Sequence, residues 1–412
     1  MAISFEPTPS TVESRDYYNR VAREQMRPIS RKYDEQEHDL PREWVDWYWE
    51  TGRKRPASTA KLGDETDGMI QVCVQAEELC WGDAALYLRM PTPALGGSAV
   101  AAAGTPEQRK RFLSGFRAEG GHPIWGAMAI TEAAAGSDAA AIQTTAELDE
   151  SSDEWVLNGT KIFCTAGEGA SQAEGGFVVI WATVDRSAGR AGIKSFVVPA
   201  GTPGMKLEGC EKKLGIRASD TATLVLEDCR VPRGNLLGSA EVKKRDAKKT
   251  GDKGFKGAMA TFDASRPIVA AMAVGVGRAA LDFTLEELER NGIRVRWEAG
   301  LHEQSAVERD LLEMQAELQA ARLLTWRAAR MLSLGKANSL EASMAKAKAG
   351  LSVTRITQKA VELLGPPGYS TRMLAEKWMR DAKINDIFEG TQQINQLIVA
   401  RRILDYPSSV LR

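Results

Sequence analysis

The chain has 412 residues, 43% of them hydrophobic and 26% charged, which describes a globular protein with room for two or three domains. A formal net charge of −1 leaves no basic excess to hold a phosphate backbone, so nucleic-acid binding is excluded as its main task. The cysteines (Cys73, Cys80, Cys164, Cys210, Cys229) form no C-x-x-C pair and the 3 histidines stand far apart, so neither a disulfide framework nor a metal site is expected, and chemistry falls to carboxylates or a cofactor.

Residues 2–14 carry Glu6 and Glu13 and lack the arginine-rich pattern of an organelle presequence, and no apolar run reaches membrane-spanning length; a cytoplasmic protein without a membrane span is expected. From Pro9 to about Pro123 apolar residues recur at helical spacing, as in Met69, Cys73, Ala76 and Cys80, with breaks expected at Pro41, Pro91 and the Gly96-Gly97 pair. Trp44, Trp47 and Trp49 are interleaved with Glu43, Asp46 and Glu50 and read as helix-packing aromatics rather than an interfacial anchor. Thr105-Pro106-Glu107-Gln108 puts a hydroxyl ahead of a proline at the first helical position, a helix start.

Between about Pro123 and Gly238 the period changes to two, with β-rich runs at 176–184, 193–198 and 221–226. In the run 155–163, Asn158-Gly159 supplies the positive φ angles of a two-residue hairpin turn, so the residues on either side are expected to be paired strands. Beyond Phe255 the helical pattern returns, with no proline between Pro267 and Pro366 and with Leu311, Leu318 and Met331 among the apolar positions of a bundle. The basic stretch 243–249 reads as a solvated loop joining the two regions.

Two runs carry chemistry. Residues 380–393 set Glu389-Gly390-Thr391 in an apolar-periodic region, where an acid needs a reason to exist; alone, glycine after an acid also describes a helix end. Residues 129–138 (Ala129-Ile130-Thr131-Glu132-Ala133-Ala134-Ala135-Gly136-Ser137-Asp138) combine turn chemistry with backbone N–H groups and hydroxyls at a domain border, where binding clefts tend to lie.

Together with Lys161-Ile162-Phe163-Cys164-Thr165, the segment 213–221, Asp263-Ala264-Ser265-Arg266-Pro267 and the terminal run through Arg401, these residues resemble the acyl-CoA dehydrogenases, in order and over nearly the whole chain. The resemblance implies an α+β chain: an N-terminal helical domain (1–123), a central β-sandwich or barrel-like domain (124–239) and a C-terminal four-helix bundle (240–412). It implies an FAD flavoprotein of fatty-acid β-oxidation that removes two hydrogens from an acyl-CoA thioester and passes electrons to an electron-transferring flavoprotein. Met128, Ile130, Thr131, Gly136, Ser137, Phe163, Cys164, Thr165, Gln304, Thr391 and Gln393 are the implied FAD contacts. Ser137, Asp263, Arg266, Gly390 and Arg401 are the implied substrate contacts, and Glu389 is the implied catalytic base, with Phe388 and Ile387 as apolar neighbours. Some relatives carry the base between the counterparts of Asp263 and Arg266; Ala264 and Ser265 stand there, and neither is a base.

Two segments depart from the family pattern. The usual Arg-x-x-Phe-Gly reads as residues 291–300, with Arg294 and Arg296 as the available arginines, and the usual Gln-x-x-Gly-Gly-x-Gly reads as residues 362–368, with Glu362, Pro366 and Pro367. Proline removes an N–H that glycine offers a cofactor. The resemblance implies a tetramer, either of like subunits or, as the altered segments suggest, an α2β2 tetramer with a homologous subunit. The alternative functions are a flavin oxidase or monooxygenase on the same fold, or a partner subunit of a heteromeric dehydrogenase.

Overall fold

The computed structural model describes residues 7–54, 68–242, 253–300 and 302–407. Its N-terminal part folds as α1 (Pro9–Val21), α2 (Ser30–Glu35), α3 (Arg42–Glu50), α4 (Gly68–Leu88), α5 (Ala94–Ala103) and α6 (Pro106–Leu113), so the breaks at Pro41 and Pro91 fall between helices. α6 starts as its sequence dictates: the Gln108 N–H donates to Thr105 Oγ1 at 3.2 Å and the Thr105 N–H to Gln108 Oε1 at 2.9 Å, a closed capping box. Trp44 is buried, stacks on Trp47, and donates from Nε1 to the Leu86 carbonyl at 2.8 Å, so α3 packs by its tryptophans.

Gly96-Gly97 does not break a helix; both residues lie inside α5. A Cβ on Gly96 would stand 2.5 Å from the Ala127 carbonyl oxygen, so the glycine is there for close approach of α5 to the first strand, not for a turn. Gly96→Val is expected to lower stability by about 1–3 kcal/mol, read as a reduced urea midpoint; an unchanged midpoint would show that α5 has room to shift.

The middle region is a single curled sheet of 7 strands. They are β1 (Gly126–Ala129), β2 (Thr145–Asp149), β3 (Glu154–Thr165), β4 (Phe177–Thr183), β5 (Ile193–Pro199), β6 (Met205–Cys210) and β7 (Thr221–Pro232), with helix α7 (Gly167–Gln172) between β3 and β4. The order is β1-β4-β2-β3-β7-β6, with β5 antiparallel along the other edge of β4. β4 is buried at every position because its two faces serve different cores. Val178, Ile180 and Ala182 join the large core, and Phe177, Val179 and Trp181 join a second one with Met128, Ile130 and Ala135.

The expected hairpin at Asn158-Gly159 is overturned: both residues lie in the middle of one continuous strand, β3, at a register shift against β7. Asn158 Oδ1 accepts the Asp228 N–H across the ladder at 2.8 Å, and a Cβ on Gly159 would collide with Thr144 at 2.5 Å, so the positive-φ glycine serves a bulge. The chain reverses earlier, at residues 150–153, where the Ser151 N–H donates to Asp149 Oδ1 at 3.0 Å and Asp153 takes a φ of 57°.

The C-terminal region comprises α8 (Lys253–Arg290), α9 (Ala306–Ser333), α10 (Ser339–Leu364), α11 (Pro366–Tyr369), α12 (Ala375–Ala382) and α13 (Gln392–Ile403). α8, α9 and α10 pack on one another, α13 lies against α10, and α4 packs on α8. The stretch Thr261–Arg290 is long and apolar enough to cross a membrane, contrary to the sequence reading, but 72% of its apolar window is buried inside the fold, as befits a core helix. The basic stretch 243–249 lies outside the described residues.

A buried charge network joins the three regions just ahead of the Glu389 run. Lys377 on α12 reaches Asp83 of α4 at 2.9 Å and Asp381 one turn along α12, and the other oxygen of Asp381 accepts the Ile216 N–H of the sheet region at 2.6 Å. Asp83 has non-helical angles inside α4 and accepts the Leu86 N–H at 2.9 Å, so it breaks the helix and caps its second half. Arg380 adds Asp34 at 2.6 Å and the Leu214 carbonyl at 3.0 Å.

Candidate active site

After α12 the chain makes a 3-10 turn over Lys383–Asp386, passes Glu389 (φ 58°) and Gly390 (φ 88°), and enters α13, which Thr391 caps by accepting the Ile394 N–H at 3.2 Å. Glu389-Gly390 therefore closes no helix; it is a left-handed link between two helical pieces. That conformation costs a glutamate roughly 1–2 kcal/mol, and its surroundings hold it. Arg266 Nε donates to the Glu389 carbonyl at 3.4 Å, and the Gly390 carbonyl accepts from Lys346 Nζ at 2.6 Å and Asn395 Nδ2 at 2.8 Å.

The Glu389 side chain is received by α8: Ser265 Oγ donates to its Oε2 at 2.8 Å. Burial raises the carboxyl above the ordinary glutamate value, while Ser265, Arg266 and Lys346 pull it back. An acid whose pKa rises on folding contributes stability that is fully present below its unfolded value of about 4.3 and is lost as pH rises through the folded value. Glu389→Gln removes that loss, so the variant's unfolding midpoint is expected to equal or exceed the wild type at pH 7 and to lose this advantage toward pH 4. A variant markedly less stable at pH 7 would contradict a strained, desolvated carboxyl.

Arg266 is buried and otherwise engaged: Nη1 donates to Asp263 Oδ1 at 2.8 Å and Ser343 Oγ at 3.4 Å. Burial holds the Asp263 carboxyl above its usual range in spite of Arg266. Glu389, Gly390, Asp263 and Arg266 thus converge on one point. The expected apolar cover differs, for Phe388 is partly buried but Ile387 is 53% exposed.

A second group assembles at the ends of β1 and β3. Lys161 Nζ meets Glu132 Oε1 at 2.7 Å and the Ile130 carbonyl at 3.2 Å, and the Ile162 N–H donates to the Thr131 carbonyl at 2.9 Å, tying residues 130–132 to the strand. Met128, Ile130 and Cys164 are buried, with Cys164 Sγ toward the Met128 carbonyl at 3.7 Å, so these residues offer only backbone to a ligand. Phe163 is the opposite case: at φ 57° it stands 57% exposed. Thr131 and Thr165 are half-buried, and Gly136 and Ser137 are exposed. The two groups are neighbours through Phe262, which precedes Asp263 and packs on the core containing Met128 and Ile130.

Other expected residues lie apart. Arg401 is ten positions beyond Thr391 on α13, about 15 Å along the helix. Gln393 is exposed, and Gln304 is half-buried, donating to the Ala299 carbonyl at 2.9 Å. Of the two arginines in the variant segment, Arg296 is bound to Glu308 and Arg294 is 82% exposed. Pro366 and Pro367 open α11, where the missing N–H groups cost nothing. Among the described residues Glu168, Cys210 and Asp220 bring possible metal ligands within 4.8 Å of one another, but Arg89 donates to both carboxylates and already supplies the cation.

Sequence reasoning missed Ser265 as a hydrogen-bond donor, together with Ser343, Lys346 and Asn395. Lys346 left a signal, because it falls on the buried face of α10 with Ala342, Ala345, Ala349 and Val353.

Family models for the acyl-CoA dehydrogenase N-terminal, middle and C-terminal domains match in chain order, at residues 8–119, 127–229 and 252–404. The chain belongs to the acyl-CoA dehydrogenase family. The short-chain specific acyl-CoA dehydrogenase, mitochondrial, of Rattus norvegicus is 36% identical over 384 residues, 93% of this chain and 87% of that protein. The structure of butyryl-CoA dehydrogenase from Megasphaera elsdenii superposes with a TM-score of 0.82 at 29% identity, covering 98% of this chain and 100% of that one. A chain from work on the electron transferring flavoprotein of Acidaminococcus fermentans gives 0.82 at 32% identity, covering 98% and 100%.

As an acyl-CoA dehydrogenase the protein is an oxidoreductase acting on the CH–CH bond of an acyl-CoA, and its cofactor is FAD. The residues present fit that cofactor on two counts. Gln304 has a buried Oε1 without a hydrogen-bond partner among the described residues, and Phe163 holds an apolar ring out beside the backbone of residues 128–131. The rat relative is a mitochondrial protein, a different compartment from the cytoplasmic one expected from this sequence.

Proposed function

We propose that this acyl-CoA dehydrogenase converts a short-chain acyl-CoA thioester to the trans-2-enoyl-CoA, with Glu389 as the base, and passes the electrons to an electron-transferring flavoprotein. The observation that carries the reading is the Glu389 loop: a carboxyl made more basic by burial, on a left-handed residue whose own carbonyl and that of Gly390 are tied back into the protein. The α-hydrogen of a thioester is weakly acidic, so a base must be placed at that carbon with a pKa lifted toward the working pH. Ser265, Arg266 and Lys346 restrain the rise, so the carboxylate is available to take the proton.

Removing the α-proton puts negative charge on the thioester oxygen. Among the described residues no hydrogen bond uses the Glu389 N–H, and we assign it as a donor to that oxygen, worth about 3–4 kcal/mol by analogy with oxyanion holes. FAD, when bound, accepts the hydride that leaves the β-carbon. In this reading it is held by the backbone of Met128, Ile130, Thr131, Gly136, Ser137, Cys164 and Thr165, by the Phe163 ring, and by Gln304, Thr391 and Gln393. Ser137, Asp263, Gly390 and Arg401 serve the CoA ester, and Arg266 serves it through the Glu389 loop.

The short-chain relatives support the acyl length, and the likeness to the Acidaminococcus chain supports the electron acceptor. Domain limits of 1–123, 124–239 and 240–412 and a tetramer, with like or homologous subunits, belong to the same reading. Leu397, Ile403, Leu404 and Tyr406, at and just beyond α13, are exposed and support assembly through that end. Anaerobic mixing of the purified flavoprotein with butyryl-, octanoyl- and palmitoyl-CoA tests it. Flavin absorbance is expected to bleach fastest with butyryl-CoA and to recover on adding an electron-transferring flavoprotein. No bleaching with any ester, or recovery with oxygen at the same rate, would overturn it.

A further inference from the structure

Lys346 is a buried cation that touches neither substrate nor cofactor in the reaction as described. It is 1% exposed, and its Nζ donates to the Gly390 carbonyl at 2.6 Å. The other fully buried lysines have carboxylate partners, Glu132 for Lys161 and Asp83 with Asp381 for Lys377. Among the described residues none lies within ion-pair distance of Lys346. Burying an ammonium against a carbonyl alone is unfavourable, so the position needs a further reason.

That reason lies next to the carbonyl it holds, which belongs to the residue after Glu389. The charged groups that act on Lys346 are Asp386 from the turn before the base, Glu389 itself and Arg266 from α8; Lys383 pairs with Asp386, Asp263 and Ser343 with Arg266, Ser265 with Glu389, and Asn395 shares the Gly390 carbonyl. We propose that Lys346 is a positioning residue for the base: its ammonium fixes the Gly390 carbonyl next to the base, and its charge keeps the Glu389 carboxylate ionised. The proposal rests on the reading of Glu389 as the base. Burial lowers Lys346 to about 8, so it carries its charge at acid pH and mostly at neutral pH. Arg266 remains when Lys346 is removed, so the effect is a shift and not a loss.

The test is the acid limb of the kcat–pH profile for Lys346→Gln, Lys346→Met and Lys346→Arg, with flavin per subunit and unfolding midpoint measured alongside. Gln keeps a donor without charge, Met removes both, and Arg keeps the charge. Gln and Met are expected to move the limb up by about one pH unit, which lowers kcat about tenfold on the limb, with KM changed less than about threefold and flavin retained. Arginine is expected to keep the wild-type limb. A limb unmoved in Gln and Met, a limb moved equally in Arg, or loss of flavin from all three variants would overturn the proposal. Glu389→Gln in the same series separates the two claims: substantial turnover there contradicts the base, whereas an inactive Glu389→Gln with an unmoved Lys346→Gln limb contradicts only the role of Lys346.

Discussion

Glu389→Gln is expected to lower kcat by about 10²–10⁴-fold while leaving flavin bound. The substitution keeps shape and removes only the capacity to take a proton. The left-handed loop is held through the carbonyls of Glu389 and Gly390 by Arg266, Lys346 and Asn395, so its geometry does not depend on the carboxylate. Ser265 Oγ, which donates to Oε2 at 2.8 Å, has an amide oxygen to donate to in its place. The flavin-side group around Thr131 and Phe163 is tied separately, by Lys161 and Glu132. Stopped-flow bleaching of the flavin by butyryl-CoA reads the loss directly. A variant that bleaches within tenfold of the wild-type rate would remove Glu389 from the mechanism.

Lys377→Met is expected to cost about 3–5 kcal/mol, the largest stability effect of any single change considered. Burial pulls the Lys377 ammonium down, yet Asp381 and Asp83 carry it well above the ordinary lysine value, so the charge is native. Methionine fills the space and leaves two buried carboxylates facing each other. Neither has an easy escape, because Asp381 also accepts the Ile216 N–H and Asp83 the Leu86 N–H. With a folded pKa above the unfolded value of about 10.4, the lysine's contribution is fully present below that pH and is lost as pH rises through the folded value, so the deficit of the variant persists across the neutral range. Urea unfolding checks this, and combining Lys377→Met with Asp83→Asn and Asp381→Asn is expected to recover part of the loss. An unchanged midpoint for Lys377→Met would mean the network is solvated.

Features that depend on nearby residues were legible in the sequence. The helix start at Thr105-Pro106, the breaks at Pro41 and Pro91 and the burial of Leu311 and Leu318 all follow from local spacing. Glu389 stands out because an acid in an apolar run needs a function, and the structure gives it a half-buried carboxyl raised by desolvation and a left-handed backbone. Asn158-Gly159 and Gly96-Gly97 were misread because glycine has the same local chemistry in a turn, a bulge and a close contact. What decides is the residue opposite, Thr144 in one case and Ala127 in the other, and neither is near in sequence. Ser265 is no base, and its role as a donor depends on Glu389, 124 residues away; Lys346 is hidden in the alanine-rich face of α10 although its position on the apolar stripe is readable.

Exchange of the α-carbon protons of butyryl-CoA with D2O, followed by mass spectrometry with the flavin held reduced so that hydride transfer cannot proceed, isolates the step assigned to Glu389. The wild-type protein is expected to incorporate deuterium at the α-carbon and Glu389→Gln to do so at least about 100-fold more slowly. Incorporation by Glu389→Gln at the wild-type rate would contradict the assignment of Glu389 as the base.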